Sequence, residues 1–256
     1  MKKKSYLLVF LVILFSVIFL GSKSYRYVGV NYTVDYTEIT NLQKIYEFYK
    51  RHVNYGKLVK KITHNSENKK EEILNISTWV YRNIKKVSNN DIVVDNHPWT
   101  IVERKLGAPD QFSDILSVLL VHNDIDSFFI REFTMNIHPL TFFKNDSEWS
   151  IIDPYYGVYF TNNKNSFSTI KEIKNGDLNI THLTLGKVNI ENLDKIFFNK
   201  NFKNINELDN YFTNLISKIP SSKTIENTSI YKRGGRSYIQ KPMHRIFAQL
   251  RRILNI

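Results

Sequence analysis

The hydrophobic pattern divides the chain into an apolar first segment, three amphipathic helices and a group of short strands. An uncharged apolar run extends from Tyr6 to Leu20. Apolar residues then recur at helical spacing, which predicts helices over Asn41–Ile62, over residues 71–87 and from about Pro109 onward. In the second and third helices, the residues expected to be buried are Ile73, Ile76, Trp79, Val80, Ile84, Phe112, Ile115, Leu116, Leu119 and Leu120.

Short β-rich segments follow the third helix. They predict strands over Ser127–Phe133, Leu140–Phe143 and Trp149–Ile152. The Asn-Asp pair in "KNDS" favours a tight turn, so the second and third strands are expected to form a hairpin. Helices followed by an antiparallel meander predict an α+β fold. Earlier in the chain, residues 25–40 alternate aromatic or β-branched residues with polar ones, which indicates a strand or an extended connector.

The C-terminal part of the chain predicts two more helices. Residues 201–219 have a helical pattern, and the tail "YIQKPMHRIFAQLRRILNI" places an apolar stripe beside histidine and arginine side chains. Such an amphipathic helix suits an anionic lipid surface as well as it suits the protein's own core or a partner. We therefore divide the chain into an anchor segment (1–26), one domain (27–219) and a basic tail (220–256).

The apolar first segment has the features of a signal peptide or a membrane anchor. Lys23 lies within the best candidate cleavage site, which favours an uncleaved transmembrane anchor. Lys2, Lys3 and Lys4 precede the apolar run, so the N-terminus is expected in the cytoplasm and the domain outside it, in the periplasm or at the cell surface.

Charge and composition exclude several classes of function. The net charge is +12. Basic residues dominate residues 1–26 and 220–256, however, and the middle of the chain is close to neutral. A neutral domain argues against nucleic-acid binding, which needs clustered lysine and arginine. The chain has no cysteine, which excludes disulfides, thiol catalysis and cysteine-ligated metals. The histidines show no metal-ligand spacing, so neither a metal nor another cofactor is predicted.

Three segments stand in an order that suggests a catalytic site. The first is "GAPDQFSDILSVLL" at the predicted helix start, the second is "IHPLTFF" with His138, and the third is "EWSIIDPYYGVYF" with Asp153 at a strand end. Over residues 73–160 this order resembles the transglutaminase-like superfamily of papain-type folds. Its pattern has Gly-x-Cys-Asp-Gln at a helix start, then a histidine on a strand, then Trp-x-x-x-Asp-Pro. The resemblance implies that His138 matches the general base and Asp153 the acid that orients it.

The same resemblance places Pro109 at the position of the nucleophilic cysteine. In such sites, the helix N-terminus stabilises a thiolate, and the histidine takes the proton. Proline has neither a proton to give nor a lone pair to attack with. It is well tolerated at the first helical position, because the N–H that it lacks would have had no partner there. The substitution therefore removes the chemistry and keeps the scaffold.

The sequence leaves several alternatives open. Ser113 lies about 6 Å further along the helix and could replace the nucleophile, although a small packing residue is expected there. Asp110 is adjacent but faces about 100° away. His138 and Asp153 could also act alone in hydrolysis. The "HPW" stretch at His97 could assist an oxyanion, or could be a loop anchored by a buried Trp99.

The preferred hypothesis is an exported, membrane-anchored protein without catalysis, serving as a binding or scaffold module in a bacterial cell envelope. Its partners would be the membrane and a polypeptide or glycan in the former cleft. The stretch "RGGR…QKPMHR" resembles, over few residues, the C-terminal part of transglutaminase-like proteins from surface-polysaccharide loci. The alternatives are an amide hydrolase or acyltransferase with another nucleophile, and a structural subunit of a membrane assembly.

Overall fold

The computed structural model describes residues 2–31, 33–95, 97–130, 139–176, 179–188, 216–217 and 219. His138 lies outside these residues, as does the amphipathic helix predicted in the tail. The helix predicted over 201–219 also falls almost entirely outside them. Those predictions stay predictions.

Six helices and eleven strands are found in the described part of the chain. The helices are α1 (Lys2–Gly21), α2 (Asn41–Thr63), α3 (Lys69–Asn83), α4 (Pro98–Arg104), α5 (Pro109–Val121) and α6 (Ile170–Lys174). The strands are β1 (Lys23–Val30), β2 (Thr33–Thr40), β3 (Lys85–Lys86), β4 (Val94–Asp95), β5 (Leu106–Gly107), β6 (Ser127–Ile130), β7 (Leu140–Asn145), β8 (Glu148–Asp153), β9 (Val158–Thr161), β10 (Asn179–His182) and β11 (Gly186–Lys187).

The main sheet is an antiparallel meander of six strands in the order β11-β10-β9-β8-β7-β6. Phe142 pairs with Ile151 across β7 and β8, and the turn that joins these strands has Asp146 at positive φ. Asx residues tolerate that conformation better than most. The predicted hairpin and the α+β class are therefore confirmed.

Alternation along β7 and β8 gives this sheet two buried faces. Phe143 and Ile152 pack against the helices α2, α3 and α5 on one face. Phe142 and Ile151 belong to a second cluster on the other face, which includes the side chains of α6. The residues predicted to be buried in α5 and α3 are buried, except Trp79, which is partly exposed.

Helix α3 is shorter than the sequence pattern predicts. It ends at Asn83, and Ile84 is extended (φ −100°, ψ 120°). Residues 85–87 leave the helix because β3 pairs in parallel with β5 and the Val87 N–H donates to the Gly107 carbonyl at 3.1 Å. The parallel pairing places Lys86 opposite Gly107, which precedes Pro109 by two residues.

The first part of the chain forms a helix, a hairpin and the start of a second helix. Strands β1 and β2 pair along their whole length. The Thr40 hydroxyl accepts from the Gln43 N–H and caps α2, which confirms the predicted helix over Asn41–Ile62. Its Tyr55 and Val59 are buried, whereas the apolar side chains of its first turns are exposed.

Among the described residues, no helix combines the length and the apolar character needed to cross a membrane. The predicted transmembrane segment is therefore not confirmed.

Candidate functional site

Helix α5 begins at Pro109, as the sequence pattern predicts. Ala108 is the N-cap residue, and Pro109 occupies the first helical position. The Gln111 side chain secures this turn on both sides: its Oε1 accepts from the Ala108 N–H at 3.0 Å, and its Nε2 donates to the Val94 carbonyl at 2.8 Å. Ala108 offers no side-chain cap, but Gln111 satisfies the Ala108 N–H and ties the helix start to β4.

Ser113, the alternative nucleophile, is a structural residue. Its side chain is fully buried, and its hydroxyl donates to the Pro139 carbonyl. The Thr141 hydroxyl in turn donates to the Ser113 carbonyl at 3.3 Å. These bonds tie α5 to the entrance of β7. A hydroxyl that is buried and already donating its proton is poorly placed to attack a substrate.

Asp153 closes β8 and organises the turn that follows. It is buried, and its Oδ1 accepts from the N–H groups of Tyr155 and Tyr156, both at 3.0 Å. This is the Asx turn expected of an aspartate before proline. A carboxylate that is held in this way keeps a fixed position, which suits a structural role and an orienting role equally well.

The relation of Asp153 to His138 stays a prediction. His138 lies outside the described residues, and Pro139 is the first described residue after it.

The first turn of α5 and the Asp153 turn are in contact. The Phe112 ring packs edge-on against the Tyr155 ring, with 5.3 Å between the centroids. Gly107, just before the helix, lies close to Phe112 as well; a Cβ built there would come within 3.4 Å of that ring. Two of the segments singled out in the sequence therefore meet, although they are more than 40 residues apart.

Lys86 is a site residue that the sequence pattern missed. Its Nζ lies 4.5 Å from the centroid of the Tyr155 ring and 5.2 Å from that of Tyr156, a cation–π geometry. Burial lowers the pKa of Lys86, and the negative charge of Asp153 offsets part of that shift. The signal was hidden because "IKKV" continues the helical pattern of α3.

The two tyrosines of the turn keep their protons well above neutral pH. Burial raises the pKa of Tyr155, and the charge of Asp153 raises it further. Burial, and to a smaller extent the charge of Asp153, also raises the pKa of Tyr156 to about 12. We call Lys86, Asp153, Tyr155 and Tyr156 the Asp153 cluster. It offers one carboxylate, one ammonium and two neutral phenols.

His182 borders the Asp153 cluster from β10. Its ring is buried and packs edge-on against Tyr81, at 5.0 Å between centroids. Its Nδ1 accepts from the Thr184 and Leu185 N–H groups, both at 3.2 Å. Burial lowers the pKa of His182; a hydrogen bond with the Tyr156 backbone offsets part of that shift, and the charge of Lys86 adds to it. These features indicate a neutral ring that stabilises the turn after β10.

His97 serves as a helix cap. The "HPW" stretch begins α4 rather than a loop, and the His97 Nδ1 accepts from the Trp99 N–H at 3.3 Å. The same nitrogen lies 3.1 Å from the Tyr55 hydroxyl. Both neighbours can donate to it, so this nitrogen is an acceptor and is directed towards α2 and its own helix. The oxyanion-assisting role considered from the sequence has no support in these contacts.

Comparisons with known proteins identify no family. No family model matches the chain, and no curated protein matches it. Among solved structures, it is similar to a candidate cysteine protease from Cytophaga hutchinsonii, with 20% identity over 41% of this chain and 37% of that one and a TM-score of 0.35. It is also similar to a candidate protease from Parabacteroides distasonis, with 13% identity over 56% and 29% of the two chains and a TM-score of 0.33. The chain thus spans less than two-fifths of either protein, and its function has to be argued from its own residues.

Proposed function

We propose that this protein is a catalytically inactive member of the transglutaminase-like fold, whose former active site binds a polypeptide or a glycan. The observation that carries the proposal is Pro109 at the first position of α5. This is where the motif has its nucleophile, and the chain has no cysteine that could act from elsewhere. The fold can accept proline here because the first helical N–H needs no intrahelical partner.

The state of Ser113 supports inactivity over the alternative of a hydrolase with a relocated nucleophile. Its hydroxyl is buried and donates to the Pro139 carbonyl, so activation would require breaking that bond and exposing the side chain. Lys86 also lies near Asp153; burial lowers its pKa and the charge of Asp153 offsets part of that shift, while its Nζ is held over the two tyrosine rings.

The Asp153 cluster has the side chains of a recognition surface. Tyr155 is half buried and offers an aromatic ring with a polar edge, a type of surface that is common at binding sites. Lys86 can pair with a carboxylate on an acidic glycan or on a peptide. These features support binding, and they do not require a reaction.

The location of the protein is also a proposal. The lysine-flanked apolar segment of residues 2–21 supports export and attachment to a membrane in a bacterial envelope. Fractionation of cells tests it directly: a chain found in the soluble fraction, with its domain inaccessible to added protease in intact cells, would contradict it.

Restoring the nucleophile tests whether the remnant of a catalytic site exists. Pro109→Cys creates the sole thiol of the chain, at a helix N-terminus that lowers thiol pKa values. At pH 6.5, each unit by which the pKa of the thiol falls raises its thiolate fraction about tenfold. We therefore expect iodoacetamide to label this variant at least tenfold faster than Lys50→Cys, which places a thiol at an exposed position in the middle of α2.

A second variant makes the labelling experiment specific. Adding His138→Ala to Pro109→Cys is expected to slow labelling several-fold, because the imidazole would no longer stabilise the thiolate. Labelling of Pro109→Cys no faster than that of Lys50→Cys would refute the catalytic origin of the site. If the unmodified chain had an amidase activity that Asp153→Ala abolished, the alternative of an active enzyme would be correct.

A further inference from the structure

Two histidines that are distant in the sequence meet on a surface away from the Asp153 cluster. His52 lies on α2, and His122 is the C-cap residue of α5. The Nδ1 of His52 and the Nε2 of His122 are 3.0 Å apart. They are separated by 70 positions along the chain, so no spacing rule for metal ligands could have paired them.

His122 is held in the manner of a metal ligand. Its Nδ1 lies 2.8 Å from the Val118 carbonyl and must carry the proton to donate to that oxygen, so the neutral ring has its lone pair on Nε2. Metal-binding histidines almost always donate their second ring nitrogen to a carbonyl or carboxylate, which fixes the tautomer. The Tyr55 ring packs against His122 at 4.8 Å between centroids and restricts it further.

The separation of the two nitrogens fits a shared ion. Metal–nitrogen bonds of about 2.0–2.1 Å place two ligands roughly 2.9–3.4 Å apart at bond angles between square and tetrahedral. In the structure the His52 Nδ1–H donates a hydrogen bond to the His122 Nε2, and this contact already holds the two nitrogens 3.0 Å apart, within that range. The exposed His52 would bind through Nδ1 by moving its proton to Nε2 and rotating towards the ion. His122 would need little movement.

The electrostatic setting also favours a cation. His122 caps the C-terminal end of the 13-residue helix α5, where the helix dipole places partial negative charge.

Within the described part of the chain, no group of three or more potential ligand residues is arranged around a metal position. His97 does not complete the set, since its Nδ1 is directed to Trp99 and Tyr55. Water would fill the remaining positions.

We propose that His52 and His122 form a surface site for a divalent transition-metal ion, with two histidine nitrogens and water as ligands. Imidazole ligands suit Cu²⁺, Ni²⁺ and Zn²⁺, and the usual order of affinity places Cu²⁺ first. The site is independent of the proposed function, because it uses the opposite end of α5 from Pro109. It revises the expectation, drawn from histidine spacing, that the chain binds no metal.

Titration of the full chain with Cu²⁺ and with Zn²⁺, followed by calorimetry, tests the site. His52→Ala and His122→Ala are each expected to weaken the tightest site at least tenfold. His64→Ala removes another exposed histidine, next to the end of α2, and is expected to leave the affinity unchanged. In the electron paramagnetic resonance spectrum of the Cu²⁺ complex, we expect coupling to two imidazole nitrogens in the native chain and to one in His52→Ala.

The outcome is decisive even if one variant fails to fold. His52 is exposed, so its replacement leaves the core intact and settles the question should His122→Ala unfold the chain. Unchanged Cu²⁺ affinity in His52→Ala, or equal losses in His52→Ala and His64→Ala, would overturn the proposal.

Discussion

Replacing Phe112 with alanine is expected to lower the free energy of unfolding by about 3–5 kcal/mol, the usual cost of deleting a buried aromatic ring. Phe112 has no exposed surface and lies among the side chains of α3, α4 and α5 that form the helical side of the core. It also packs edge-on against Tyr155. The variant would therefore lose core packing and the contact between the first turn of α5 and the Asp153 turn.

Urea unfolding followed by circular dichroism measures the loss of core packing. The rate at which iodoacetamide labels Pro109→Cys reports on the lost contact between the first turn of α5 and the Asp153 turn. Phe112→Leu is the matched control, because it fills most of the same space and is expected to cost less than about 1.5 kcal/mol. When Phe112→Ala is combined with Pro109→Cys, we expect the introduced thiol to lose part of its advantage in labelling rate over Lys50→Cys. A loss of stability below about 1 kcal/mol for Phe112→Ala would contradict the packing described for this ring.

The spacing of apolar residues correctly predicted the helices and strands that bury a continuous apolar face. In α5, the apolar positions recur at helical spacing and all five residues expected in the core are buried. The strands β7 and β8 alternate between two packed layers, and an Asn-Asp turn joins them. Here, each local preference agrees with the tertiary packing, so the sequence alone was sufficient.

Exposed apolar surface could not be predicted in the same way. The stripe of Leu42, Ile45, Tyr46 and Tyr49 has the same spacing as a buried one, yet these side chains are exposed by half or more. Periodicity shows that residues share one face of a helix, whereas burial depends on what packs against that face. The first half of α2 lies beside the β1–β2 hairpin and α1, and the core begins only at Tyr55.

Long-range pairing accounts for the residue contacts that local sequence patterns could not predict. Lys86 follows a helical pattern, but pairing of β3 with β5 draws it out of α3 and sets it beside the Asp153 turn. Likewise, His52 and His122 reach each other only because α2 packs on α5. Local propensity is a weak prior that tertiary contacts override, and these contacts join segments far apart in the chain.

Asp153 shows that a structural and a functional interpretation can apply to one residue. Its Oδ1 accepts the two N–H groups of the turn, which is the role expected of an aspartate before proline. The same bonds fix the carboxylate where it influences Lys86 and both tyrosines. Under the function proposed above, Asp153 has no base to orient, yet the turn still needs its carboxylate. The structural role alone is therefore a sufficient reason for an aspartate at this position.

Gly157 ends the turn that Asp153 begins, and Gly157→Ala is expected to lower the free energy of unfolding by about 2–5 kcal/mol, since two costs combine. The residue has φ +70°, a conformation that costs a residue with a Cβ roughly 1–2 kcal/mol. Its Cβ would also lie 2.8 Å from the Tyr81 ring and 3.1 Å from the His182 Nε2, and overpacking of this kind costs about 1–3 kcal/mol.

Gly176→Ala separates the two costs of the Gly157 substitution. Gly176 has φ +78°, and none of the described residues places an atom within 4 Å of its Cβ position, so only the backbone cost is expected there. Urea unfolding should therefore show a larger loss for Gly157→Ala than for Gly176→Ala, by about 1–3 kcal/mol. Equal losses would mean that Tyr81 moves aside freely. The close contact of Tyr81, His182 and the turn would then contribute little to holding the Asp153 cluster in place.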